Sequence, residues 1–134
     1  MEIITSMSKI TQYKVSWKEY DKDIRILAKL IKEGGKHYEL IYTLSRGGLV
    51  IATHLSHLLG IDKVIVDVAP LMPTTILVVD DVSDTGKTLR DKILQWRRRE
   101  LTDIATLYRK DGTIVEPDFT VKTINQWIVY PYEV

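Results

Sequence analysis

The segment TTILVVDD, residues 74–81, is almost continuously apolar up to its two closing aspartates. A strand with one solvated face alternates apolar and polar residues, whereas a strand covered on both faces of a parallel sheet does not. The segment therefore predicts a central strand of a parallel sheet. Such a sheet needs helices on both faces, which places the chain in the α/β class.

Predicted helices and strands alternate along most of the chain. Apolar residues at helical spacing predict helices over residues 17–33, 47–60 and 85–100. Short β-prone apolar runs predict strands over residues 40–45, 63–69, 74–81 and 103–110, and the tail 119–134 has a β-like composition. This order predicts one α/β domain over residues 1–134, with a mainly parallel sheet flanked by helices.

Composition excludes several classes of protein. The formal net charge of +1 gives no overall field that would attract nucleic acid, and the absence of cysteine excludes disulfides and thiolate metal sites. No apolar run approaches the roughly 20 residues that span a bilayer, and the amino terminus lacks the pattern of a secretory signal. We expect a cytoplasmic protein without a nucleic-acid or membrane partner.

Two polar loops follow predicted strands, at residues 45–48 and 80–88. Ligands of open α/β sheets bind beyond the carboxyl ends of the strands, where both loops would lie. In the second loop, Gly86 allows close approach of the backbone, and Thr85 and Thr88 add hydroxyl donors at a predicted helix start. This combination predicts a binding site for one phosphate group.

The ending TGKT also matches the close of an ATP-binding P-loop. That motif requires a glycine five residues before the glycine of its GK[ST] ending, and this chain has Asp81 there. A carboxylate at that position would face the phosphates, which argues against an ATPase. Paired acids beside a phosphate seat suit ribose hydroxyls or Mg²⁺ instead.

The whole segment ILVVDDVSDTGKTL, residues 76–89, resembles the signature of the type I phosphoribosyltransferases. Further segments resemble the purine branch of that family, in the same order along the chain: YKVSW (13–17), SRGGL (45–49), ATLYRKDG (105–112), EPDF (116–119) and WIVYPYE (127–133). The resemblance implies transfer of the phosphoribosyl group from phosphoribosyl pyrophosphate (PRPP) to guanine, xanthine or hypoxanthine, with release of pyrophosphate. It also implies Mg²⁺ as cofactor, and a small hood formed by the termini, to which residues 111–134 contribute base-binding groups.

The same resemblance assigns roles to individual residues. The 5-phosphate would be held by Asp84, Thr85, Gly86, Lys87 and Thr88, and Asp84 would also be the acid/base at purine N7. The ribose hydroxyls would contact Asp80 and Asp81, and the metal would be bound by Asp81 and Glu133. The pyrophosphate would be held by Ser45, Arg46, Gly47 and Gly48, in a loop where one peptide bond is often cis. The purine would contact Lys110, Trp127 and Ile128, with Arg109 as a rival to Lys110.

The sequence departs from the family in two places. The mobile lid expected between the strands at 63–69 and 74–81 is replaced by residues 69–75, stiffened by Pro70 and Pro73, and Asp111 stands where relatives often have proline. The short connection keeps a second hypothesis open, a non-catalytic protein that binds PRPP or a nucleotide. The resemblance also implies a homodimer or homotetramer.

Overall fold

A computed structural model describes residues 12–71, 73–98 and 100–133 of this chain. Residues 1–11 and Val134, which belong to the predicted domain, lie outside the described residues, as do Met72 and Arg99. The helices are α1 (Trp17–Glu33), α2 (Leu49–Leu59) and α3 (Lys87–Ile93). The strands are β1 (Gln12–Lys14), β2 (Leu40–Thr43), β3 (Val64–Val66), β4 (Ile76–Ser83), β5 (Thr102–Arg109), β6 (Lys122–Thr123) and β7 (Trp127–Val129).

Five of these strands form a parallel sheet in the order β3-β2-β4-β5-β6. The central strand β4 is covered on both faces, as its composition predicts. Leu77 and Val79 belong to the core shared with α1 and α2, whereas Ile76 and Val78 belong to a second core that includes Leu89 and Ile93. The α/β fold with a mainly parallel sheet is thus confirmed.

The two ends of the described chain pair with each other. Strands β1 and β7 form a separate two-stranded parallel sheet, in which Tyr13 is opposite Ile128. This small sheet is the predicted hood. A polar network joins it to the main domain: the Tyr13 hydroxyl donates to Glu19 at 2.5 Å, and Lys122 forms ion pairs with Glu19 at 2.7 Å and Asp23 at 3.1 Å.

Helix α3 is shorter than the predicted 85–100 and ends at Ile93. The indole N–H of Trp96 donates to the Lys92 carbonyl at 3.1 Å, which occupies the acceptor that a continuing helix would use. The Trp96 ring packs instead on Tyr42, with ring centroids 4.7 Å apart. Strand β3 is also shorter than the predicted 63–69, so the connection that replaces a lid covers residues 67–75 rather than 69–75.

Within residues 12–71, 73–98 and 100–133, no helix is both long enough and apolar enough to cross a membrane.

Candidate functional site

The loop after β2 packs directly against the acidic end of β4. A methyl group placed on Gly47 would lie 3.0 Å from both carboxylate oxygens of Asp81. One placed on Gly48 would lie 2.1 Å from Thr43 Oγ1 and 2.9 Å from the Val79 carbonyl oxygen. The two glycines therefore bring the SRGG loop, residues 45–48, against the end of β4 that carries Asp80 and Asp81. We call β4 the acid strand. The peptide bond between Ser45 and Arg46 is cis, as the resemblance implies for this loop.

The turn between β4 and α3 surrounds a cavity of about 80 Å³. The residues that line it are Asp80, Val82, Ser83, Asp84, Thr85, Gly86, Thr88 and Leu89. Gly86 has φ 83° at the turn, and the segment after β5 supports the turn through a hydrogen bond from the Ile114 N–H to the Thr85 carbonyl at 3.0 Å. Four of the five residues predicted to hold the 5-phosphate line this cavity, while the side chain of Lys87 is exposed beside it.

The two adjacent acids of β4 line different cavities. Asp80 lines the phosphate-sized cavity, and Asp81 lines a second cleft on the hood side. Asp80 Oδ1 accepts from the Asp81 N–H at 2.9 Å, and Asp81 Oδ1 accepts from the Val82 N–H at 2.8 Å. Burial, and then the charge of Asp81, raises the pKa of Asp80 to about 8; burial also raises the pKa of Asp81. Two carboxylates in this environment favour a bound cation or hydrogen-bond donors.

The hood-side cleft has a volume of about 160 Å³ and brings together the predicted purine residues. It is lined by Asp81, Val82, Asp84, Lys110, Trp127, Ile128, Tyr130 and Glu133. The Lys110 ammonium donates to the carbonyls of Ile124, at 3.3 Å, and Gln126. The Trp127 side chain is 66% exposed at the cleft, whereas Ile128 is buried. Asp84 lines both this cleft and the smaller cavity, so it lies at the junction of the two.

Arg109, the rival to Lys110, is engaged elsewhere. Its guanidinium donates from Nε to Glu116 at 3.0 Å and from Nη1 to Asp111 at 3.3 Å. It does not belong to the lining of the cleft. Of these two cations, Lys110 is therefore the one that lines the hood-side cleft.

Tyr130 contributes a contact that sequence reasoning missed. Its hydroxyl donates to the Asp81 carbonyl at 3.0 Å, and its N–H donates to the Glu133 carboxylate at 2.8 Å. The tail is thereby joined to the acid strand, and Glu133 is held on the same cleft as Asp81. The sequence signal was the motif WIVYPYE itself, in which the fold buries Tyr130 as well as Ile128.

A larger cavity, about 260 Å³, lies at the opposite, amino-terminal ends of the strands. Its lining includes Ile76 and Thr102, the first residues of β4 and β5, and among the described residues it contains no carboxylate or histidine. Ligands of open parallel sheets bind at the carboxyl ends of the strands. The chemistry of the acid strand, and not cavity size, therefore identifies the site.

Asp111, the second departure from the family, takes part in a reciprocal pair with Asn125. The Asn125 amide nitrogen donates to Asp111 Oδ2 at 2.9 Å, and the Asp111 N–H donates to Asn125 Oδ1 at 2.9 Å. Asn125 lies between the two residues whose carbonyls hold Lys110. The pair therefore fixes the segment that positions both Lys110 and Trp127.

Replacing Asp111 with alanine is expected to raise the KM for the purine by about 3–10-fold, because a hydrogen-bonded pair typically contributes around 1 kcal/mol. The KM for PRPP should stay within about twofold, since Asp111 lies outside both the phosphate-sized cavity and the SRGG loop. Steady-state kinetics with each substrate varied would measure the two values. Glu116→Ala is the matched control, because Glu116 also pairs with Arg109, whereas Asn125 pairs with Asp111. Equal changes in both KM values would contradict the assignment.

Replacing Asp80 with asparagine is expected to stabilise the metal-free protein at alkaline pH. The folded-state pKa of about 8 lies above the unfolded value near 3.9, so the folded state binds the extra proton. Wild-type stability should then fall as pH rises from about 4 to 8, by at most ~1.4 kcal/mol per pH unit, and level off above pH 8. Asparagine removes this loss.

Thermal unfolding of Asp80→Asn and wild type at pH 5 and pH 9 measures the effect. We expect the variant's advantage in Tm to be larger at pH 9 by at least about 4 °C, equivalent to ~1 kcal/mol. Asp62→Asn, an exposed acid before β3, should show no such dependence. A constant difference between the two pH values would show that the Asp80 carboxyl titrates normally.

The chain resembles three solved structures over nearly its full length. A purine phosphoribosyltransferase from Pyrococcus horikoshii Ot3 is 31% identical, with a TM-score of 0.80 over 92% of this chain and 95% of that one. A xanthine-guanine-hypoxanthine phosphoribosyltransferase from Helicobacter pylori is 22% identical, with a TM-score of 0.81 over 92% and 93%. A Neisseria gonorrhoeae protein with bound ppGpp is 21% identical, with a TM-score of 0.73 over 92% and 90%. No protein-family model matches the chain.

A parallel sheet whose central strand ends in paired acids, followed by a glycine turn and covered by a hood from the termini, is the arrangement of the type I phosphoribosyltransferases, which are enzymes. The level of identity with the Pyrococcus horikoshii enzyme shows that this chain belongs to the purine branch of that family.

Proposed function

We propose that this protein transfers the 5-phosphoribosyl group from PRPP to a 6-oxopurine, which is guanine, xanthine or hypoxanthine. The products are the nucleoside monophosphate and pyrophosphate. The observation that carries the choice of base is the Lys110 ammonium, held at the cleft beside the exposed Trp127 ring.

The chemistry of Lys110 favours an oxo group over an amino group on the purine. An ammonium has three donors and no acceptor, and the carbonyls of Ile124 and Gln126 use two of those donors. The third can donate to a purine 6-oxo oxygen. Adenine would instead present its 6-amino group, so a donor would face a donor. Trp127 adds an aromatic face on which any purine ring can stack.

The remaining residues suit the two phosphate ends of PRPP. Asp84, Thr85, Gly86, Lys87 and Thr88 would hold the 5-phosphate, and Asp80 and Asp81 would accept hydrogen bonds from the ribose hydroxyls. The pyrophosphate would lie on the loop of Ser45, Arg46, Gly47 and Gly48, where the Arg46 guanidinium supplies paired donors for phosphate oxygens. Since the acid strand packs against this loop, the bond to be broken would lie between the two ends.

Asp84 would be the general acid/base of the reaction. In the transfer, C1 of the ribose gains oxocarbenium character as its bond to the pyrophosphate oxygen breaks and the electron pair leaves with the pyrophosphate. A purine nitrogen then supplies the electron pair of the new bond to C1. Asp84 lines both cavities, and its carboxylate would accept the proton that N7 of the base releases as the new bond to C1 forms. The rest of the site positions the reactants and stabilises the departing anion.

The carboxylates at the site fit Mg²⁺ as the cofactor. The described residues contain no cluster of three or more acidic or histidine ligands, so Mg²⁺ would be held by one or two carboxylates together with substrate oxygens, which is its usual coordination. Asp81 and Glu133 line one cleft and would supply those carboxylates. When bound, the ion would neutralise the pyrophosphate charge as it develops.

The test is an assay of the purified protein with PRPP, Mg²⁺ and one base at a time, measuring pyrophosphate and the nucleoside monophosphate. We expect product with at least one of guanine, xanthine and hypoxanthine, and a kcat/KM for adenine at least about 100-fold lower, as expected for a mismatched polar group. Preference for adenine would overturn the choice of base. Tight PRPP binding without product from any base would favour the non-catalytic nucleotide-binding protein. Cytoplasmic location and assembly into a homodimer or homotetramer stay predictions.

A further inference from the structure

Asp67, the first residue after β3, contacts the predicted pyrophosphate loop through two hydrogen bonds. The Ser45 N–H donates to Asp67 Oδ1 at 3.0 Å, and the Ser45 hydroxyl donates to Asp67 Oδ2. Both donors that Ser45 offers are thus directed at one carboxylate. The two residues are separated by α2 and β3 in the sequence, so the contact forms only when β2 and β3 pair.

The backbone of Asp67 is fixed independently of its side chain. Its N–H donates to the Thr43 carbonyl at 3.0 Å, which extends the pairing of β2 and β3 by one residue. Its φ of 62° lies in the left-handed region, which turns the chain away from the strand. The hydrogen bonds from Ser45 lower the pKa of the Asp67 carboxyl, so it is an anion at neutral pH. The carboxylate is therefore a charged acceptor built into the edge of the sheet.

The loop also closes on itself. The Gly48 N–H donates to the Leu44 carbonyl at 3.2 Å, and the Leu49 N–H donates to the Arg46 carbonyl at 3.1 Å. These bonds define the curve of the loop, whereas the bonds to Asp67 define where the loop stands relative to β3. A loop that donates to an anion needs its donors oriented in advance, because ordering them during binding costs about 0.5–1.5 kcal/mol per side chain.

We infer that Asp67 is a positioning residue for the pyrophosphate half of PRPP. It holds Ser45, and through Ser45 it holds the Arg46 side of the loop. Within the loop proposed to hold the pyrophosphate, Ser45 then anchors the loop, and Arg46, Gly47 and Gly48 are left to contact the anion. This inference rests on the proposed function, since it concerns the same site.

In a competing role, the Asp67 carboxylate would occupy the donors of the loop in place of the pyrophosphate. PRPP would then have to displace this carboxylate in order to bind. Displacement would leave the Asp67 carboxylate unpaired beside a multiply charged anion, because its backbone is fixed by Thr43. Repulsion between like charges at that distance opposes binding. The two roles predict opposite signs: loss of the carboxylate weakens binding of PRPP if Asp67 positions the loop, and strengthens it if Asp67 competes.

The experiment is a double-mutant cycle with Asp67→Ala, Ser45→Ala and the double variant. We expect each single substitution to raise the KM for PRPP, and the Kd for Mg-pyrophosphate measured by calorimetry, by about 5–20-fold. The double variant should be no weaker than the worse single variant, because both remove the same contact. The KM for the purine and the Kd for the nucleoside monophosphate should stay within about twofold. Asp62→Ala, at the other end of β3, is the control and should leave all four values unchanged.

Asp67→Asn keeps one acceptor for Ser45 and should give an intermediate effect; it replaces the alanine variant in the cycle if that variant fails to fold. A lower KM for PRPP in Asp67→Ala, or single effects that multiply in the double variant, would overturn the inference. The pyrophosphate titration needs no turnover, so it tests Asp67 even if no purine is a substrate. Normal turnover of a 6-oxopurine by wild type with unchanged pyrophosphate binding by the variants would reject the role of Asp67 alone.

Discussion

Replacing Asp84 with asparagine is expected to lower kcat for nucleoside monophosphate formation by about 10²–10⁴-fold, the usual contribution of a general acid/base. Asparagine has nearly the same shape but cannot exchange the proton. The side chain lies at the junction of the phosphate-sized cavity and the hood-side cleft, so its loss should act on the chemical step. The Kd values of PRPP and of the product nucleotide should change by less than about threefold. Single-turnover kinetics would separate the chemical step from product release.

The matched control is Asp91→Asn, an exposed acid on α3 that pairs with Arg90 at 3.2 Å outside both cavities. It should retain wild-type kinetics. If Asp84→Asn turned over as fast as this control, Asp84 would have no acid/base role, and its place at the junction would serve phosphate binding alone.

Replacing Gly86 with alanine is expected to abolish binding of the 5-phosphate, with the Kd for the nucleoside monophosphate raised at least about 100-fold. The position has φ 83°, and the added Cβ would lie 2.7 Å from the Val115 N–H nitrogen and 2.8 Å from Thr113 Oγ1. One of these contacts is with the backbone, so the turn must move. A displaced turn no longer directs its donors at one phosphate group. Isothermal titration with the nucleotide measures the loss.

Gly35→Ala is the control that separates the backbone strain of a left-handed residue from the steric clash of the added Cβ. Gly35 has φ 78° but no atom within 4 Å of an added Cβ, so alanine there incurs only the left-handed penalty of ~1–2 kcal/mol. Both variants should lower Tm, and only Gly86→Ala should lose nucleotide binding. Retained binding in Gly86→Ala would show that the phosphate is held elsewhere than at this turn.

Patterns that are local in sequence predicted much of this structure. Ser16 caps α1 by accepting from the Glu19 N–H at 3.0 Å, and α1 has the predicted bounds 17–33 because its apolar stripe and its end signals agree. The acid strand was also predictable, since burial on both faces leaves a continuous apolar run. The residues of the site were predicted because the family motifs name them; the structure shows which of them share a cavity, and their roles stay proposals.

Contacts between distant residues could not be read from the sequence. The Asp67–Ser45 contact depends on the register of β2 and β3, and the Asp111–Asn125 pair depends on how the tail returns to β5. Each involves a polar residue that looks like an ordinary loop residue in isolation. The early end of α3 has the same origin, because Trp96 leaves the helix to pack on Tyr42 of another element.

The pairing of β1 with β7 joins residues that are more than one hundred positions apart in the chain. Closing so long a loop is entropically costly, and the small sheet it forms has only three residues in each strand. We expect the hood to form last during synthesis and to open before the main sheet, so that amide hydrogens of β7 exchange faster than those of β4. Trp127 and Ile128 belong to β7. Occupancy of the hood-side cleft would then slow this exchange, and a base bound there would complete the fold of β7.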